Sequence, residues 1–164
     1  MGNNVELDSE EYDFDIPKME QELKSDIQQD RINILVDKSE GSVLDCGACL
    51  GFITEKLIKK GHFATPIDMD DRYIEYMEKK GLNPLKMDVR QLNFLNKNFD
   101  TVIAGELFEH LENPGDGLRE CCRVAKKKVL FTLPLGVNDP YHKWTINTEI
   151  KHNFLIVEMV RDKK

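Results

Sequence analysis

No apolar run in this 164-residue chain approaches the roughly 18 residues that a membrane-spanning helix needs. The first fifteen residues, MGNNVELDSEEYDFD, hold neither Lys nor Arg and no apolar core. No secretory leader is therefore read there. Only four cysteines occur, too few for a disulfide scaffold in a chain without a leader, so a reducing, cytoplasmic location is expected. Basic excess is missing too. Lys and Arg number 23 against 30 Asp and Glu, for a net charge of −7. Six of those acids (Glu6, Asp8, Glu10, Glu11, Asp13, Asp15) fall in residues 1–15, which leaves a body close to neutral. Nothing resembles the basic footprint of a nucleic-acid binder.

What is present is a globular composition, with 40% hydrophobic and 32% charged residues. A chain of this length can bury a core without staples. Residues 1–16 are read as an acidic, disordered tail and 17–164 as a single domain. After the tail, Ile16 to Lys38 reads as one helix. Pro17 sits in its first turn, and Met19, Leu23, Ile27, Ile34 and Leu35 recur at helical spacing.

From residue 43 onward, short strands and helices alternate. Strands are expected at Val43–Cys46, Phe63–Ile67, Pro84–Met87, Phe99–Ala104, Lys128–Leu133 and Phe154–Val160. Helices are expected at Phe52–Lys60, Tyr73–Lys80, from near Glu106, and at Leu118–Val124, with Gly61 and Gly81 closing the first two. The alternation predicts βαβ units, a mostly parallel sheet and helices on both faces. Such sheets bind ligands at the carboxyl ends of their strands, so the function should be written where strands stop.

The first strand runs into Asp45-Cys46-Gly47-Ala48-Cys49-Leu50-Gly51. Its glycines allow close backbone approach, and the next helix offers free N–H groups. The second strand ends at Asp68, 23 residues beyond Asp45. An acid at about that distance can accept hydrogen bonds from both ribose hydroxyls of a nucleoside. The third ends at Asp88, where a carboxylate could accept from an adenine amino group. One acid at a strand end is ordinary; three in succession point to one ligand.

These segments resemble the class I S-adenosylmethionine-dependent methyltransferases from about Ser42 to Pro134. Val43-Leu44-Asp45-Cys46-Gly47 through Gly51 looks like their first motif. Pro66-Ile67-Asp68-Met69-Asp70 looks like the ribose segment and Lys86-Met87-Asp88-Val89 like the adenine segment. Phe99 to Leu111 looks like the fourth strand and its following helix, and Val129 to Pro134 like the fifth strand. The resemblance implies a three-layer, doubly wound, Rossmann-like α/β sandwich and S-adenosylmethionine as cofactor. It implies cofactor contacts from Asp45, Gly47, Ala48, Cys49, Gly51, Asp68, Met69, Asp88, Val89, Gly105 and Glu106.

Two departures from the family stand out. Cys49 replaces the middle glycine of the first motif, which narrows the approach to the methionine end of the cofactor. Only 30 residues follow Pro134, where the family adds a long helix and two more strands. The missing elements are absent or come from another subunit, a homodimer mate or a separate partner.

For catalysis, Glu106, Glu109 and His110 fall at i, i+3, i+4, which a helix would place on one face. His110 suits a general base for a hydroxyl acceptor, with Glu106 beside it. A small-molecule acceptor is expected. Tyr141, His142 and Trp144 follow the fifth strand, where an acceptor pocket should form. An alternative resemblance joins Glu106, Glu109 and His110 with His142 as a divalent-metal set, as in small-RNA 3′-terminal ribose methyltransferases. A second alternative is a cofactor-binding or regulatory subunit without catalysis. A third reads Cys46-Gly47-Ala48-Cys49 as a disulfide oxidoreductase motif whose helix N-terminus would activate a thiol.

Overall fold

The computed structural model describes residues 15–134 and the strand 154–160. Two helices precede the sheet, α1 (Ile16–Leu23) and α2 (Asp26–Lys38). The single helix expected over 16–38 is therefore broken. Ser25 adopts extended backbone (φ −63, ψ 150) as the residue before α2, while the Lys24 amide closes α1 by donating back to Glu20 and Gln21. The Gln29 amide group reaches back 2.5 Å to the Leu23 carbonyl and satisfies an acceptor the break leaves open. Asp15, within the expected acidic tail, caps α1 with its side chain. Residues 1–14 of that tail lie outside the described residues.

The alternation then unfolds as β1 (Ser42–Cys46), α3 (Phe52–Lys59), β2 (Phe63–Asp68), α4 (Asp71–Lys79), β3 (Leu85–Lys86) and β4 (Phe99–Gly105). A short 3₁₀ turn (Phe108–His110), α5 (Pro114–Val124), β5 (Ala125–Pro134) and β6 (Phe154–Val160) complete the described elements. The sheet order is β3-β2-β1-β4-β5-β6. The first five strands pair in parallel, and β6 runs antiparallel to β5. β3 is the weakest strand, pairing only Leu85 and Lys86 with β2. Pro84 has no N–H to extend that ladder. α5 starts four residues before its expected start because Pro114, a breaker inside a helix, is favourable in a first turn.

Successive strand residues point to opposite faces, and both faces are covered. Val43, Ile103 and Leu130 pack against Ile32 and Leu35 of α2 and against Ile53 and Leu57 of α3. Leu44, Cys46, Val102, Ala104 and Val129 face the other way, onto Cys121 and Val124 of α5 with Phe108 and Leu111. Chain order leads outward from β1 to β3, then returns to β4 beside β1. The crevice where the order reverses lies between the ends of β1 and β4. Among the described residues no helix is long and apolar enough to cross a membrane.

Candidate functional site

β1 delivers Asp45 to the crevice almost fully buried, at 1% exposure. The Thr54 hydroxyl on α3 donates to its Oδ2 at 2.6 Å, while Oδ1 has no partner. Burial pushes this carboxyl up to about 6, against the Thr54 bond and the Arg31 charge, which favour the ionised form. The loop that follows is held open by three left-handed residues, Gly47 (φ +66), Cys49 (φ +52) and Gly51 (φ +75). Gly51 must lack a side chain, since a Cβ there would stand 2.4 Å from Leu82 Cδ1. Ala48 is tied to β2 by its amide on the Ile67 carbonyl at 3.0 Å.

The loop and the end of β2 meet at Asp68. Its Oδ2 accepts from the Cys49 amide and its Oδ1 from the Asp70 amide, both at 3.0 Å. Burial raises this carboxyl, opposed by those backbone donors. Each oxygen keeps acceptor capacity beyond its single amide, so the pair suits two adjacent hydroxyls. Met69, half-buried, follows it.

Asp88 sits differently. Burial favours its neutral form, but the Arg90 side chain and amide at 2.7–3.0 Å engage both oxygens and leave it lowered. The neighbouring Val89 is buried in the apolar cluster. The end of β3 thus offers an apolar wall beside a carboxylate that already holds a cation.

The end of β4 corrects the helix expected from Glu106. Glu106 is left-handed (φ +52), and only the three-residue turn Phe108–His110 follows. Glu106, Glu109 and His110 therefore do not share one helical face. The Glu106 amide donates to the Thr132 carbonyl at 3.1 Å and hydroxyl at 3.2 Å. Its carboxylate turns to α2, with Gln28 Nε2 at 3.4 Å and Arg31 Nη2 at 3.5 Å. Glu109 is 2% exposed, and neither of its oxygens has a hydrogen-bond partner outside its own backbone. Burial pushes it up to about 8, with the Glu106 charge adding to the rise and Arg31 opposing it. His110 is half-buried at the end of the turn.

Gly105 faces α2. A Cβ on it would meet Arg31 Nη1 at 2.8 Å, so the space it leaves is taken by that guanidinium. His142, Tyr141 and Trp144 lie outside the described residues. Among the described residues, no group of three or more His, Cys, Asp or Glu is arranged to hold a metal.

The thiols depart from the redox expectation. Cys46 is fully buried, and burial with the adjacent Cys121 raises it well above the ordinary thiol range. Burial pushes Cys49 up to about 12. Both shifts run opposite to what a reactive dithiol requires.

Three residues of the cluster went unnoticed in the sequence: Arg31, Thr54 and Thr132. Arg31 had a readable signal. It falls four residues from both Ile27 and Leu35, a charge on the apolar stripe of α2. Thr54 and Thr132 carry no such mark.

Residues 44–133 match the family described as "Methyltransferase domain". Ubiquinone biosynthesis O-methyltransferase of Xanthomonas oryzae pv. oryzae is 25% identical over 122 residues, covering 70% of this chain and 51% of that one. The protein of the same name from Coxiella burnetii is 30% identical over 91 residues, covering 51% and 38%. The chain thus spans about half the length of these relatives, or less. Among solved structures, a SAM-dependent methyltransferase from Archaeoglobus fulgidus superposes with TM-score 0.66 at 22% identity, over 81% of this chain and 69% of that one. A protein from Pyrococcus horikoshii gives 0.61 at 23% identity, over 68% and 60%. At these identities the structural likeness speaks for the fold.

Proposed function

Because the chain belongs to the methyltransferase-domain family, we propose that it binds S-adenosylmethionine and transfers its methyl group to a hydroxyl of a small molecule. The observation that carries this reading is the tie between Asp68 and the glycine loop. One buried carboxylate is held by the Cys49 and Asp70 amides, with acceptor capacity left on both oxygens. It lies next to a second buried carboxylate, Asp45, whose Oδ1 lacks any donor. Vicinal ribose hydroxyls fit the first, and the amino-acid ammonium of the cofactor fits the second. Val89 and the loop of residues 47–51 complete that cradle, and Asp88 serves it through its pairing with Arg90.

When bound, S-adenosylmethionine supplies a methyl group already activated on a sulfonium. The residues of this chain then have to seat the acceptor, exclude water and take one proton. Glu106 and His110 both follow the end of β4, beside the cradle. Either can accept the proton that a hydroxyl gives up as its oxygen is methylated. The O-methyltransferase names of the relatives support an oxygen acceptor.

Calorimetric titration with S-adenosylmethionine and S-adenosylhomocysteine tests the cofactor half. Micromolar binding is expected, weakened by on the order of 1–3 kcal/mol in Asp68→Ala. Unchanged affinity in that variant would refute the assignment. A panel of catechols and sugars, followed by transfer of labelled methyl, tests the acceptor half. The side chain of Cys49 in the left-handed loop (φ +52), where the family carries a glycine, favours one second reading, a cofactor-binding subunit without catalysis. Tight cofactor binding with no turnover on any acceptor, alone or with a partner, selects it.

A further inference from the structure

Arg31 is a buried cation that the methyl-transfer reading does not use. It is 4% exposed, and three of its contacts converge on one point. Nε donates to Gln28 Oε1 at 2.7 Å, Nη1 to Thr132 Oγ1 at 3.3 Å, and Nη2 stands 3.5 Å from Glu106 Oε2. Gln28 in turn donates to the same Glu106 oxygen, and Thr132 accepts from the Glu106 amide as well as from Arg31. Glu106 is thus gripped at both ends, its carboxylate by two side chains of α2 and its amide by β5. The grip matters because Glu106 has no helix to hold it. It occupies a left-handed conformation (φ +52) that a residue with a side chain rarely adopts. Gly105 makes room for this arrangement, since a Cβ there would come within 2.8 Å of Arg31 Nη1.

We propose that Arg31 is a positioning residue: with Thr132, and with the space left by Gly105, it fixes the carboxylate of Glu106 at the acceptor side of the cofactor cleft. A plain helix-to-sheet tie would be met by any buried pair. Here a planar fork bridges a side chain on β5 and a carboxylate beyond β4, geometry that a lysine does not reproduce. The inference rests on the methyl-transfer reading for its catalytic consequence and on the structure alone for the positioning.

The test uses Arg31→Met, Arg31→Lys, Gly105→Ala and Glu106→Gln in the full chain. Labelled methyl transfer is followed to 3,4-dihydroxybenzoate or the best acceptor of the panel. Arg31→Met and Gly105→Ala should each lower kcat by about 10- to 100-fold, with the S-adenosylhomocysteine affinity of Arg31→Met kept within about threefold. Arg31→Lys should not rescue. In a Glu106→Gln background, Arg31→Met should cost less than about threefold more. An equal loss in that background, or cofactor affinity falling in step with kcat, overturns the proposal. If wild type binds the nucleoside but methylates no probe, the acceptor reading fails and hydrogen exchange decides the positioning. Faster exchange in residues 104–110 of Arg31→Met, with β1 and β5 still protected, upholds it. Unchanged exchange there overturns it.

Discussion

Replacing Glu109 with glutamine should make the protein more stable at alkaline pH and not at acidic pH. Glu109 is 2% exposed, with no hydrogen-bond partner outside its own backbone. Burial, reinforced by Glu106, lifts its carboxyl from 4.5 to about 8. A group raised on folding contributes its full stability below its unfolded value and loses it as pH climbs through the folded value. Below about pH 4.5 both states carry the proton, and between there and about pH 8 only the folded one does. At about 1.4 kcal/mol per pH decade the loss approaches roughly 5 kcal/mol if nothing relaxes, and water entry at the rim cuts it to roughly half. Glutamine has no such dependence. Its unpaired amide costs about 1 kcal/mol at every pH. Urea unfolding of both proteins from pH 5 to 9 should therefore show the variant slightly weaker at pH 5. It should be stronger by about 2–4 kcal/mol at pH 9. Asp45, also raised by burial, is common to both proteins and cancels. A difference that stays flat across that range would refute the reasoning.

Other consequences follow from the same geometry. Native protein at pH 8 should leave Cys46 and Cys49 unlabelled by a thiol-disulfide reagent on the timescale that modifies free cysteine. Burial raises both thiols, and labelling should be restored in denaturant; prompt native labelling of Cys49 would reopen the redox reading. Gly41→Ala should destabilise by about 1–3 kcal/mol in thermal unfolding. The new Cβ would fall 2.1 Å from Asp100 Oδ2, which holds the amide and hydroxyl of Ser42 at the start of β1. A neutral result there would mean that the start of β1 does not depend on that carboxylate.

The core of the fold was legible because parallel strands buried on both faces read as short apolar runs, as β1, β4 and β5 did. Strand ends were legible for the same reason. Asp45 interrupts the first strand segment while Asp68 and Asp88 follow at the ends of the second and third, and the Cys49 amide on Asp68 ties the second acid to the loop that follows the first. What escaped was set by contacts between distant segments. Leu23 and Ile27 keep helical spacing straight across the break at Ser25, because one extended residue with its gap closed by a side chain from Gln29 leaves periodicity intact. Glu106, Glu109 and His110 keep i, i+3, i+4 spacing although the chain reverses at Glu106. The contacts on that turn come from Thr132, Arg31 and Gln28, each more than 20 residues away. Spacing predicts a face only where a helix exists to express it.

The carboxyls of the crevice should also make binding of a cationic ligand sensitive to pH, which would separate S-adenosylmethionine from its product. Asp45 (about 6) and Glu109 (about 8) are both held towards their neutral forms by burial. Arg31 is the cation that opposes the rise at each of them. A positively charged ligand seated nearby would act as a second such cation and expel protons. S-adenosylmethionine carries a sulfonium that S-adenosylhomocysteine lacks, so it should release more protons at pH 7. Calorimetry in phosphate and in Tris, buffers of very different ionisation enthalpy, reads that release directly. Affinity for S-adenosylmethionine should then tighten from pH 6 to pH 8 more steeply than affinity for S-adenosylhomocysteine. Binding heats that do not differ between the two buffers would mean that neither buried acid senses the charge of the ligand. The crevice would then hold the nucleoside through its hydroxyls and apolar wall alone.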